Sequence, residues 1–208
     1  MIRLRLLGGA SLSGPDGPLA GRAAQRRRVA LLALLALARK PVARDKLIAW
    51  LWPESDTTSA RRLLSEALYV VRRDVDERAI EALGDQLRLD PDRVACDAVE
   101  FEDALARGDA AAAVDLYDGP FLDGFFVNDA EEFERWAAAE RDRLERRYRE
   151  ALEQLAVEAA RRGDARAASS WWRRLAAQDP LDGRVALALM NALVAAGDRA
   201  GALQHALQ

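Results

Sequence analysis

Cysteine and histidine are almost missing: Cys96 and His205 are the single examples in 208 residues. A disulfide framework and a Cys/His zinc site built from this chain alone are therefore excluded. Aromatic residues make up only 6%, and lysine is scarce, since 29 of the 31 basic residues are arginine. The longest apolar run, Val29 to Ala38, has ten residues, about half of what a bilayer span needs. No basic-apolar-small leader opens the sequence, so a cytoplasmic protein of a reducing compartment, without membrane contact, is expected. There is also no Gly-rich loop followed by Lys-Ser or Lys-Thr, no G-x-S-x-G elbow and no H-E-x-x-H. These absences leave phosphate-loop, serine-hydrolase and zinc-protease chemistry without their groups. His205 lies at the extreme end, in a helical pattern, and reads as a polar helix residue. Cys96 reads as a partly buried structural thiol, and acidic pairs such as Glu131-Glu132 as a solvated helix face. No enzyme, cofactor or metal is expected.

What the chain does have is alanine, 43 residues of it, with half of all residues apolar and 31% charged. That apolar content excludes a disordered tail, and the dominance of Ala, Leu, Arg and Glu favours helix. The net charge of −3 hides an asymmetry. Residues 1–95 carry 17 Lys/Arg against 12 Asp/Glu, and residues 96–208 carry 14 against 22. Such a split suggests two modules, the basic one facing a polyanion.

Along the chain, Ile2, Leu4 and Leu6 alternate with Arg3 and Arg5, the period of a half-buried strand. Gly8-Gly9 and Gly14-Pro15-Asp16-Gly17-Pro18 are turn signals bracketing a second short strand, Ala10 to Ser13. Ala23 to Arg39 reads as a helix apolar almost all round, hence central to its domain. Arg44 to Leu51 reads as a second helix and Ser59 to Arg73 as a third. Any of Ser55, Asp56, Thr57 or Thr58 is a suitable cap for the third. The third helix buries Ala60, Leu64, Ala67, Leu68 and Val71. Its other face carries Arg62, Ser65, Glu66, Tyr69 and Arg73, flanked by Arg61 and Arg72. Ala79 to Leu83 and Gln86 to Leu89, joined at Gly84-Asp85, read as a β-hairpin. Val94 to Cys96 reads as one last strand.

From Ala98 onward the signals are helical, punctuated by Gly108-Asp109, Gly163-Asp164 and Gly197-Asp198. Gly119 to Asn128, with three phenylalanines, is the one long irregular segment. Its rings are expected to plug the gap between the first helix pair and the long helix predicted from Asp129 to Arg162, with a partner-binding surface as the alternative reading. Leu155 and Leu189, Gly163 and Gly197, and Ala168 and Ala202 are each 34 residues apart, the tetratricopeptide period. The second copy stops at Gln208 before its closing aromatic and proline, so a longer protein or a divergent cap is expected.

Strands, three helices with a partly basic third, then a hairpin, is the order of a winged helix-turn-helix, whose exposed helix face enters a major groove about 12 Å wide. Arg61, Arg62, Arg72 and Arg73, with Arg44 near the second helix start and Arg88 on the hairpin, supply cations for phosphates. Ser65 and Tyr69 are candidates for base edges or phosphates. The expected fold class is α+β followed by all-α. Residues 1–96 form a winged helix-turn-helix with a wing hairpin, and residues 97–208 a tetratricopeptide-like helical domain.

Five segments then carry a resemblance. They are R-L-R-L-L-G-G at 3–9, Q-R-R-R-V-A-L-L-A-L-L-A-L-A at 25–38, P-V-A-R-D-K-L-I-A-W-L-W-P at 41–53, A-R-R-L-L-S-E-A-L-Y-V-V-R-R at 60–73 and L-D-P-D-R-V-A-C-D-A-V-E-F-E at 89–102. Together they resemble the SARP-type bacterial regulators, which join an OmpR-like winged helix to a bacterial transcriptional activator domain. The resemblance implies binding of double-stranded promoter DNA at repeated half-sites, with a dimer as one arrangement, and recruitment of RNA polymerase. It departs from the family at Glu66 on the reading face, at Asp74, Asp76 and Glu77 just after it, and at the wing tip Gly84-Asp85-Gln86. A carboxylate accepts from a cytosine amino group, yet near phosphates it weakens nonspecific affinity. The rival reading, which these acids favour, is a protein-interaction scaffold with a degenerate winged helix that does not bind DNA.

Overall fold

The structure, a computed structural model, describes residues 1–19, 21 and 25–206. Two small sheets and nine helices are formed by the described residues. The first sheet has the order β3-β2-β1-β7, from Ile2–Arg5 (β1), Ser11–Gly14 (β2), Gly17–Pro18 (β3) and Val94–Cys96 (β7). β1 pairs antiparallel with β2, Leu4 opposite Leu12, and parallel with β7, Leu4 opposite Cys96. The alternation read at 2–6 holds, with Ile2, Leu4 and Leu6 buried and Arg3 and Arg5 outside. The turn read at 14–18 contains β3, a two-residue strand too short to show a period.

The second sheet has the order β4-β6-β5, from Val42–Ala43 (β4), Ile80–Leu83 (β5) and Gln86–Leu89 (β6). The hairpin β5–β6 turns at Gly84, which adopts φ 61°, a left-handed conformation that glycine takes without strain. Between β3 and β5 in sequence lie α1 (Arg26–Ala38), α2 (Arg44–Leu51) and α3 (Thr57–Asp74), with β4 between α1 and α2. Every residue of α1 from Arg28 to Ala36 is buried, which is why its pattern has no polar face. The start read at Ala23 lies outside the described residues.

The rest is helical: α4 (Asp97–Ala106), α5 (Ala110–Leu116), α6 (Glu131–Arg161), α7 (Ala165–Gln178), α8 (Gly183–Ala195) and α9 (Arg199–Ala206). α6 is the single long helix that the pattern predicted. Among the described residues, no helix is long and apolar enough to cross a membrane.

By packing, the chain divides into one unit of Met1–Asp103 with Leu116–Leu144 and another of Ala104–Asp115 with Glu145–Gln208. The division read at 96/97 falls inside the first unit. The reason is visible at Asp97, only 4% exposed. Its Oδ1 accepts the backbone N–H of Leu6 at 2.8 Å and of Ala98 at 2.7 Å, and its Oδ2 that of Leu7 at 3.1 Å. Burial raises this carboxyl above its ordinary value, against the pull of those three N–H groups. Beside it, Cys96 is fully rather than partly buried, and desolvation pushes its thiol up to about 12.

The irregular segment also belongs to this unit. Leu122 N–H donates to Leu6 O at 2.7 Å and Gly8 N–H to Pro120 O at 3.1 Å. Here the backbones approach so closely that a Cβ on Gly119 would lie 2.9 Å from Gly8 Cα. Phe121 is fully buried, edge-on to Trp136, and Phe125 packs edge-on to Phe133. Phe126 is not a plug: it is 53% exposed and lies under the Arg26 guanidinium, 4.0 Å from its ring centre.

The second unit carries the repeat. Gly163 and Gly197, 34 residues apart, share φ values of 78° and 83°. In both turns the glycine N–H bonds three residues back and the following Asp N–H five back, the Schellman closure of a helix. Asp164 and Asp198 then accept from the backbone N–H three residues on, at 3.0 and 2.8 Å. Gly108-Asp109 repeats the same geometry, with Asp109 accepting from Ala112 N–H at 3.0 Å. Trp172, on α7, is buried.

Candidate nucleic-acid interface

α3 begins where Asp56 caps it. The Asp56 Oδ1 accepts from Thr58 N–H at 3.0 Å and Ser59 N–H at 3.1 Å, satisfying two of the donors that a helix start leaves free. The hydrogen bonds from Ser59 hold this carboxyl below its ordinary value. The cap starts the helix at Thr57, two residues before the start read at Ser59. α3 then buries Ala60, Leu64, Ala67, Leu68, Val70 and Val71. At 3.6 residues per turn, Thr58, Arg62, Ser65, Glu66, Tyr69 and Arg73 fall within an arc of about 100° on the other side. All six are exposed.

Two anchors join this helix to its neighbours. Arg72 Nη2 donates to Ile80 O at 3.1 Å, fastening the C-terminal turn of α3 to the first wing strand. Arg44 N–H donates to Asp85 O at 3.0 Å, fastening the start of α2 to the wing tip. Arg72, proposed from sequence as a phosphate ligand, is thus half-buried and engaged with the backbone.

The other cations are largely answered by acids. Arg61 lies 3.6 Å from Asp45 on α2. Arg88 Nη2 donates to Glu81 Oε2 at 2.6 Å across the hairpin. Arg73 grips Asp74 with two nitrogens, which raises its already high pKa further. Its guanidinium also lies 5.5 Å from the Tyr69 ring centre. Among the described residues Arg62 makes no ion pair, so it is an unanswered cation at the centre of the exposed arc. Ser65 Oγ donates to Arg61 O at 2.9 Å, leaving its lone pairs outward. Tyr69 is 62% exposed.

The structure therefore brings Arg62, Ser65, Tyr69 and Arg73 onto one face, with Arg61 at its flank. It places Arg44 and Arg88 beside the wing. Sequence reasoning offered Thr58 only as a cap, whereas it lies four residues before Arg62 on the same exposed stripe. It missed the contact of Glu66 with Arg28 on α1, for which no local signal exists.

In the second unit, a groove of about 650 Å³ is lined by Ala176, Leu181, Leu189, Met190 and Leu193 among others. Leu181, Leu187, Val194 and Leu203 are exposed in the same helices and their connections.

A family model, the bacterial transcriptional activator domain, matches residues 90–205. The chain belongs to that family, which bears out the resemblance to SARP-type transcriptional regulators. Among solved structures it is similar to Mycobacterium tuberculosis EmbR, determined in complex with a low-affinity phosphopeptide, at 23% identity and a TM-score of 0.64. That likeness covers 98% of this chain and 57% of the EmbR chain, so this chain spans little more than half its length. At that identity the likeness concerns the fold, a winged helix followed by a helical domain. No curated protein sequence matches the chain.

Proposed function

We propose that the protein is a promoter-binding transcriptional activator whose α3 reads the major groove of double-stranded DNA. The observation that carries this reading is the exposed arc of α3, where Arg62, Ser65 and Tyr69 stand free of the core beside a wing fastened at both ends. A helix presented this way fits the groove, and base contacts from its side chains specify sequence. Arg62 then acts toward the phosphates with Arg44, Arg61, Arg73 and Arg88, those already paired exchanging a carboxylate for a phosphate oxygen, while Arg72 holds the helix to the wing. Residues 1–96 hold the DNA-reading elements. Residues 97–208 supply the surface for RNA polymerase, as the family resemblance implies, and the apolar groove of α7, α8 and α9 suits a protein partner. Binding as a dimer on repeated half-sites, in the cytoplasm and without catalysis, completes the reading.

The scaffold reading draws on the ion pairs at Arg61, Arg73 and Arg88, which lower the net positive charge of the face. Selection from randomised duplex DNA separates the two. Under the activator reading, Ser65→Ala and Tyr69→Ala each change the preferred sequence and lose roughly 1–3 kcal/mol per base contact. Unchanged preference and affinity in both variants would remove these residues from the interface.

A further inference from the structure

Glu66 is the one carboxylate on the arc of α3, set among Arg62, Tyr69 and Arg73. Phosphates line both sides of a major groove, so a bare carboxylate there is repelled. This one is not bare. Behind it, in the first turn of α1, lies Arg28, 7% exposed. Arg28 Nη1 donates to Gln25 Oε1 at 2.6 Å, and its Nη2 lies 3.6 Å from Glu66 Oε1. A guanidinium this deeply buried needs an opposite charge nearby, since an unanswered buried charge is strongly unfavourable. Glu66 supplies such a charge 3.6 Å away, and its side chain stays 56% exposed. One oxygen is turned toward Arg28, and the other remains available on the face. The pair is neutral as a whole, so it brings an oriented acceptor to the groove with little added repulsion.

An ionised carboxylate only accepts hydrogen bonds. In the major groove, cytosine N4 and adenine N6 are the amino donors. Adenine presents its N7 acceptor beside N6, which repels a carboxylate, whereas the neighbour of cytosine N4 on that edge is a C–H. We infer that Glu66 is a specificity-determining residue that selects a C·G pair by accepting from cytosine N4, with Arg28 as its positioning residue. The inference rests on the reading of α3 as the DNA-contacting helix.

Its test is selection from a randomised double-stranded DNA library with the wild-type chain, Glu66→Gln, Glu66→Ala and Arg28→Lys. The wild type is expected to yield a motif with C·G at the position read by Glu66. Glu66→Gln, which offers a donor and an acceptor to adenine N6 and N7, is expected to turn that position to A·T, reversing a preference of about tenfold. Glu66→Ala should lose preference at that position alone. Arg28→Lys keeps the charge without the planar fork, and should relax the same position and no other. If Glu66 only neutralises Arg28, the Gln variant melts lower and its motif is unchanged at every position, which overturns the inference. Uniform weakening by Arg28→Lys across all positions overturns the positioning role. A wild-type chain that enriches no motif overturns the reading of α3 itself, a failure distinct from the first.

Discussion

Asp97 shows how much a single side chain decides in this protein. Its two oxygens receive three backbone N–H groups, two of them from the chain just after β1. Asp97→Ala would leave buried donors at Leu6 and Leu7 without acceptors, at about 1–3 kcal/mol each. Asp97→Asn keeps one acceptor but turns an NH₂ toward one of the same donors. Both variants are expected to melt lower by denaturant titration, Ala more than Asn; wild-type stability in both would contradict the staple. Among the arginines, their positions on the face of α3 were legible from helical spacing, because the face of a helix is a local property. Their partners were not. Asp45 meets Arg61 from another helix, and Arg72 turns to a strand carbonyl, so tertiary contacts decide which cations stay unpaired.

At the scale of the element, α3 depends on its cap. Hydrogen bonds from Ser59 keep the Asp56 carboxyl below its ordinary value near 3.9. A group depressed in the folded state contributes stability above its unfolded pKa and loses that contribution as pH falls through its folded one. Wild type is therefore expected to melt above Asp56→Ala at neutral pH, with the gap closing below about pH 3.9. A gap independent of pH would mean that the carboxylate is not what holds the helix start. α2 was read with its observed ends, Arg44 to Leu51, because Trp52-Pro53 stops it plainly. The short strands β3 and β4 were not read, since two residues show no period. The parallel pairing of β1 with β7 joins residues about ninety apart, which no local pattern encodes. The 34-residue recurrence was legible because it is built on glycine turns whose left-handed φ the sequence announces.

For the molecule as a whole, the packing unit that holds α3 is not confined to the first 96 residues. Asp97 and Phe121, which bridges to Leu7 and Gly9 as a strand would, lie beyond that point and belong to the first unit. The first unit therefore extends into the stretch matched as the transcriptional activator domain, residues 90–205. DNA binding is accordingly best measured on the full chain. On the proposed reading, the exposed arc of α3 docks on DNA through its unanswered cation, Arg62. Titration of a labelled duplex across a salt series, wild type beside Arg62→Ala, tests it most directly. Affinity is expected to fall steeply with salt in the wild type, with a slope of log affinity against log salt smaller by about one unit in the variant. A wild-type chain that binds no duplex at low salt, or a variant with unchanged affinity and slope, would contradict it.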